Sequence, residues 1–147
     1  MNGYVVVDAS LACKWLVKEI HTAEANALGR LWNSQGTRIA APYLLPVEVT
    51  NALHQRVRRG ELTLPAATQR MESLLSAGLE LYQPPRLYGR ALELASQLRQ
   101  GAAYDAHYLA LAEALGCELW TADEKFYRAA SPVVRRVRWV GEPAAQG

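Results

Sequence analysis

Residues 104–126, YDAHYLALAEALGCELWTADEKF, contain the helix–strand order that decides the fold. The first half predicts an apolar helix that ends at Gly116, since glycine commonly follows the last turn of a helix. The run CELWT at 117–121 is typical of a short buried strand. Asp105 lies at the start of this helix, and Asp123 lies just past the strand.

The same order of strands and helices continues along the rest of the chain. The β-branched run YVVVD at 4–8 predicts a first strand that is buried on both faces. Further strands are predicted at 37–42, 79–83 and 132–141, and helices at 10–19, 22–36, 43–59, 64–78 and 87–101. Because helices separate the strands, the sequence predicts a single α/β domain at 1–141 with helices on both faces of a mostly parallel sheet of four to five strands. Residues 142–147 are expected to form a flexible tail.

The composition is that of a globular domain, with 147 residues of which 50% are hydrophobic and 20% are charged. No apolar run approaches the roughly 20 residues that span a bilayer, and the start MNGYVVVDAS predicts a strand instead of a signal peptide. The distant Cys13 and Cys117 favour reduced thiols and a cytoplasmic location. A net charge of +2 is too small to indicate a nucleic-acid-binding protein.

Three aspartates are placed where an α/β sheet forms its sites. Asp8 ends the first strand, Asp123 follows the strand at 117–121, and Asp105 lies in the first turn of the helix before that strand. In open α/β sheets, ligands bind outside the carboxyl ends of the strands. Each aspartate is also explained by capping of the helix that begins next to it.

Glu48 is a fourth carboxylate with an unusual position. It lies four residues after Leu44 and four before Ala52, which places it on or beside the apolar stripe of its helix. A glutamate at the edge of that stripe can also reach solvent. An ionised carboxylate that faces inward is costly unless it is paired or binds a metal. We call Asp8, Glu48, Asp105 and Asp123 the acidic quartet.

An oxygen-rich cluster of this kind suits hard divalent cations. Mg²⁺ and Mn²⁺ prefer carboxylate oxygens and keep water in their remaining positions, whereas the chain lacks the His and Cys spacing of a zinc site. Carboxylate-bound metal ions suit phosphodiester hydrolysis, because they activate water and stabilise charge on the leaving oxygen.

The motifs of the chain resemble those of the PIN-domain ribonucleases, and more narrowly the VapC-type toxins of toxin–antitoxin pairs. The resemblance rests on VVVDASLACKWLVKE, PYLLPVEVTNAL and YDAHYLALAEALGCELWTADEKF. These contain, in order, D-x-S, E-x-x-N-A-L, a helix-starting D-A and T-x-D-x-x-F, and they cover nearly the whole chain.

The resemblance implies a PIN-like fold and a metal-dependent endoribonuclease toxin. It makes the acidic quartet both catalytic and metal-binding, with Mg²⁺ as cofactor and Mn²⁺ as its substitute. It gives supporting positions near the metal to Ser10 and Thr121, and a supporting role, structural or indirect, to Asn51 one turn beyond Glu48. It also implies an RNA substrate, a homodimer and a small cognate antitoxin that holds the enzyme inactive.

The residues themselves leave other interpretations open. A non-catalytic PIN-like module that binds RNA or protein is the main alternative. A haloacid-dehalogenase-like phosphatase is disfavoured, because it needs a second aspartate where Ser10 stands, and a phospho-receiver needs an acidic pair where Ala9 follows Asp8. His107 lies two residues after Asp105, so a helix turns it to a different face and disfavours a role as general base.

Overall fold

The computed structural model describes residues 3–142, so all of the predicted tail except Glu142 lies outside the described residues. Within them a five-stranded sheet is formed by β1 (Tyr4–Val7), β2 (Arg38–Ala41), β3 (Glu80–Leu81), β4 (Glu118–Thr121) and β5 (Val137–Trp139). The helices are α1 (Ala9–Leu16), α2 (Thr22–Gln35), α3 (Leu44–Arg58), α4 (Leu64–Ser76), α5 (Leu87–Gln97), α6 (Tyr104–Leu115) and α7 (Glu124–Ala130). The prediction of one α/β domain is confirmed.

The sheet has the strand order β3-β2-β1-β4-β5, and every pair of neighbours is parallel. After β1, the strands β2 and β3 are added on one side of it, and β4 and β5 are then added on the other side. The connections therefore reverse direction between β1 and β4, where Val7 lies opposite Trp120. Such a reversal opens a crevice at the carboxyl ends of the two strands.

Alternate residues of β1 anchor the central strand to both helical layers. Val6 packs in the larger apolar cluster with Leu45 and Leu109, whereas Val7 packs in a smaller one with Trp32. Full burial of a valine side chain contributes about 1.5–3 kcal/mol, so both clusters hold the strand end firmly. The next residue, Asp8, is thereby held at the crevice.

The predicted helix at 10–19 is shorter than expected at its C-terminal end. It stops at Leu16, and Val17 has extended backbone angles (φ −135°, ψ 145°). Thr22 explains the early end, because its hydroxyl donates to the Val17 carbonyl (3.1 Å) and accepts from the Glu19 N–H (3.0 Å). These bonds satisfy backbone groups that a continuing helix would otherwise use.

Across residues 3–142, no helix combines the length and apolar character needed to cross a bilayer.

Candidate active site

Asp8 caps α1 and also faces the crevice between β1 and β4. Its Oδ1 accepts hydrogen bonds from the Leu11 N–H (3.0 Å) and from the Ser10 hydroxyl (2.7 Å). Its Oδ2 accepts from the hydroxyl of Thr121. The side chain is only 3% exposed, so these donors offset part of the cost of burying a carboxylate.

The Ser10 and Thr121 hydroxyls connect the ends of β1 and β4. Ser10 Oγ accepts from the Ala122 N–H (2.9 Å), and Thr121 Oγ1 accepts from the Asp123 N–H (3.0 Å). Each hydroxyl therefore donates to Asp8 and accepts from the backbone that follows β4. The pair fixes Asp8 relative to the segment that carries Asp123.

Asp123 and Asp105 differ in their relation to the helices next to them. Asp123 is exposed and caps α7, since its Oδ1 accepts from the Phe126 N–H (3.1 Å). Asp105 does not cap α6, because Ala103 occupies the N-cap position and no side chain accepts there. The capping interpretation is therefore wrong for Asp105, although a carboxylate in the first turn still interacts favourably with the helix dipole.

Burial and mutual repulsion disfavour the ionised forms of Asp8 and Asp105. Burial, opposed by hydrogen bonds and increased by the charge of Asp105, raises the pKa of Asp8 to about 6. Burial together with the charges of Asp123 and Glu48 raises the pKa of Asp105 to about 6. The carboxylates of the acidic quartet are thus electrostatic neighbours, and a cation among them would relieve the repulsion.

Glu48 is half-buried on α3 and is bound by a tyrosine that sequence analysis missed. The Tyr108 hydroxyl donates to Glu48 Oε1 at 2.5 Å, and Tyr108 is only 1% exposed. Burial, the bond to Glu48 and the nearby carboxylates raise the pKa of the phenol above its ordinary value, so it stays neutral. The sequence did contain one signal for Tyr108. It lies three positions after Asp105, and residues three apart are neighbours on one side of a helix.

The acidic quartet stands apart in its lack of cationic partners. Of the fourteen acidic residues, all within the described range, nine have a basic partner, which is Lys or Arg for eight of them and the His21 ring for Glu24. The five without one in that range are the quartet and the exposed Glu72. A cluster without Lys, Arg or His partners has the donor set that a hard cation needs.

The quartet offers such a cation neighbouring carboxylates, but it does not form a complete coordination shell. In the part of the chain that the structure describes, no three or more His, Cys, Asp or Glu side chains converge closely enough to hold one ion. Mg²⁺ needs no such cage, because it is usually bound by one or two carboxylates and keeps several waters. Asp8 supplies a buried carboxylate and Asp105 a half-buried one, and Asp123 and Glu48 are close enough to Asp105 for their charges to raise its pKa.

Asn51 and His107 have contacts of their own. Asn51 is exposed on α3, where its carbonyl accepts from Gln55 at 3.5 Å, so its supporting role stays a prediction. The Nδ1 atom of His107 lies 2.7 Å from the Ala103 carbonyl, and its ring packs edge-on against Tyr88. These contacts belong to the α5–α6 layer and agree with the disfavoured role as a base.

Known proteins are similar to this chain in sequence and in fold. The model of the PIN domain family matches residues 5–132. Ribonuclease VapC9 of Mycobacterium tuberculosis is 31% identical over 119 residues, which cover 81% of this chain and 85% of that protein. The structure of PAE2754 from Pyrobaculum aerophilum superposes with a TM-score of 0.69 at 23% identity, covering 93% of this chain and 90% of the other. VapBC2 from Rickettsia felis, solved bound to a DNA fragment from its promoter, gives a TM-score of 0.67 at 16% identity, with coverages of 92% and 96%.

Proposed function

Because the chain belongs to the PIN-domain family and to its VapC type, we propose that it is a toxin endoribonuclease that hydrolyses RNA phosphodiester bonds with Mg²⁺ or Mn²⁺. The observation that carries this proposal is the acidic quartet, which lies at the crevice between β1 and β4 without cationic partners in residues 3–142. A curated relative named a ribonuclease supports RNA as the substrate.

Asp8 and Asp105 would bind the principal ion directly, and Asp123 and Glu48 would complete the site directly or through water, since no three of these side chains converge on one point within residues 3–142. When bound, the metal supplies a more acidic water and stabilises the charge on the leaving oxygen. Asp8 is held for this task by three hydrogen bonds, so it need not reorganise when substrate arrives. Asp105 must lose its proton, which its pKa of about 6 allows at neutral pH.

In the proposed reaction, water attacks the phosphorus in line with the bond that breaks. Glu48 orients this water and accepts its proton, since Tyr108 occupies only one of its two oxygens. The bond from phosphorus to the 3′ oxygen breaks, and that oxygen takes a proton from solvent. The products are a 5′-phosphate and a 3′-hydroxyl, as the family resemblance implies.

A cleavage assay on total RNA tests this function. Wild-type protein with Mn²⁺ should produce discrete cuts that EDTA abolishes and that Asp8→Asn reduces at least about 100-fold. The side-chain carbonyl of the introduced asparagine can still accept from the Leu11 N–H, so the variant should fold. Glu72→Gln is the matched control, because it removes an exposed acid outside the quartet and should cleave like wild type.

Two results would contradict the proposal. Cleavage by Asp8→Asn at the wild-type rate would remove the quartet from the chemistry. A folded wild-type protein that binds RNA but cuts none of it with Mn²⁺ would favour the non-catalytic RNA-binding module.

We also propose a homodimer and a cognate antitoxin as partners. The similarity to one chain of the VapBC2 structure supports the antitoxin, because that structure is of a toxin–antitoxin pair. Light scattering of the purified protein should give twice the mass of the 16.2 kDa chain. Expression of the toxin alone should slow growth, and co-expression of its antitoxin should restore it.

A further inference from the structure

We propose that Tyr108 is a positioning residue that orients Glu48 toward the metal site, a role that rests on the function proposed above. The hydroxyl of Tyr108 donates to Glu48 Oε1 at 2.5 Å. This is the one hydrogen bond that the Glu48 carboxylate makes within residues 3–142, so its other oxygen stays free to bind an ion or a water.

The bond joins two helices that share the larger apolar cluster but have different main packing neighbours. The main neighbours of α3 are α1 and α4, whereas α6 packs chiefly on α5 and β1. Glu48 lies on the first of these helices and Asp105 on the second. The hydrogen bond therefore fixes Glu48 relative to the helix that carries Asp105.

Tyr108 is buried, whereas Glu48 is half-buried. The tyrosine is 1% exposed and packs in the larger apolar cluster, and this packing restricts its ring. A glutamate side chain has three rotatable bonds, and holding it in one rotamer costs up to about 2 kcal/mol of entropy. The buried phenol thus pre-organises a half-buried carboxylate that forms no ion pair with a basic side chain in residues 3–142.

The chain offers a matched control for this bond. The Tyr82 hydroxyl donates to Glu80 Oε1, also at 2.5 Å, at the β3 edge of the sheet. Glu80 is additionally bound by Arg38, so it does not depend on its tyrosine for orientation. Tyr82→Phe therefore removes the same kind of bond outside the acidic quartet.

The test is calorimetric titration of the metal-free protein with Mn²⁺, followed by the RNA cleavage assay. Tyr108→Phe keeps the ring, and loss of a group that orients a metal ligand typically weakens affinity about 10–100-fold. Tyr82→Phe should bind Mn²⁺ like wild type. In a Glu48→Gln background, Tyr108→Phe should change the affinity less than about two-fold, since the two residues act through one contact. Excess Mn²⁺ should restore part of the cleavage rate of Tyr108→Phe.

Three outcomes would overturn this role, and the first two leave the proposed function intact. Wild-type affinity in Tyr108→Phe would show that the bond does not orient a metal ligand. An equal loss in the Glu48→Gln background would show that Tyr108 acts through packing instead of through Glu48. If wild type binds no Mn²⁺, the metal site itself fails and the role of Tyr108 fails with it. If wild type binds Mn²⁺ but cuts no RNA, only the ribonuclease function fails, and the affinities still decide the role of Tyr108.

Discussion

Asp8 and Asp123 each cap a helix and each lie in the acidic quartet. Capping uses one lone pair of Oδ1 on each side chain; the Ser10 and Thr121 hydroxyls take two more on Asp8, which leaves Asp8 one lone pair for a ligand and leaves Asp123 more. The two interpretations that the sequence offered for these aspartates are therefore compatible. Asp105 differs, because its carboxylate has no capping bond and lies half-buried beside Asp123 and Glu48.

The metal-free protein should gain stability when Asp105 is replaced by asparagine. The pKa of Asp105 is about 6 in the folded chain against 3.8 ordinarily, so its contribution to stability is full below about pH 4 and is lost as pH rises through 6. Asp105→Asn should raise the free energy of unfolding by about 1 kcal/mol at pH 7.5, a value discounted for partial exposure, and by much less at pH 4. Urea unfolding of both proteins in EDTA, at pH 7.5 and at pH 4, measures this difference in the free energy of unfolding.

Glu80→Gln should change the free energy of unfolding in the opposite direction, so it serves as the control. Arg38 lowers the pKa of the Glu80 carboxyl to about 2, so this charge stabilises the fold at neutral pH. Its amide variant should be less stable than wild type at pH 7.5. Equal effects of the two amide variants would show that repulsion within the quartet is not the cause.

Thr121 should be required for the geometry of the site as well as for stability. Thr121→Val keeps the buried shape but removes the donor to Asp8 and the acceptor for the Asp123 N–H. Leaving these groups unsatisfied should cost about 1–3 kcal/mol of unfolding free energy and lower the cleavage rate. Thr121→Ser restores both bonds, so it should recover most of the lost unfolding free energy and most of the lost cleavage rate. If Thr121→Ser recovers neither stability nor cleavage, the loss in Thr121→Val comes from packing and not from the two hydrogen bonds.

Among the secondary-structure elements, the end of α6 sets where β4 and Thr121 begin. Gly116 ends the helix at φ 65°, and its N–H lies near the carbonyls of Ala112 and Glu113. This left-handed conformation is unfavourable for residues with a Cβ. The prediction of a helix that ends at Gly116 is confirmed.

Gly116→Ala should lower the free energy of unfolding by about 1 kcal/mol. Gly89→Ala is the matched comparison, because Gly89 lies inside α5 with an ordinary helical backbone and open space where a Cβ would lie. It should instead stabilise the protein by up to about 1 kcal/mol. Chemical denaturation of both variants tests the pair, and destabilisation by both would contradict the conformational explanation.

Across the molecule as a whole, the fold brings together carboxylates from residues 8 to 123. If the quartet binds a cation, Mn²⁺ should stabilise the folded chain by about 2.7 kcal/mol at a free concentration 100-fold above the Kd. This stabilisation should raise the Tm by roughly 5–10 °C for a chain of this size. Thermal unfolding with Mn²⁺ and with EDTA measures the difference.

The gain from Mn²⁺ should shrink at lower pH. Asp8 and Asp105 retain protons below their pKa values of about 6, and bound metal must displace those protons. The rise in Tm at a fixed Mn²⁺ concentration should therefore be smaller at pH 5 than at pH 7.5. An equal rise at both pH values would place the ion away from these two carboxylates.

The order of strands and helices could be read from the sequence, because local patterns decide it. The β-branched run YVVVD predicted β1, and apolar periodicity predicted the helices that follow it. The early end of α1 could not be read, since it depends on the Thr22 side chain, which is five residues from Val17. Hydrogen bonds from beyond an element can override its own apolar pattern.

The α/β class, the family and the placement of Asp8 and Asp123 after strands were already encoded in the linear sequence, because these follow from local order along the chain. Three further facts came from the folded arrangement: β1 and β4 are neighbours, the quartet lacks cationic partners in residues 3–142, and Tyr108 binds Glu48. The physical reason is that Glu48 and Tyr108 are 60 positions apart. Their contact depends on how two separate helices pack against the sheet, and no periodicity within either helix encodes it.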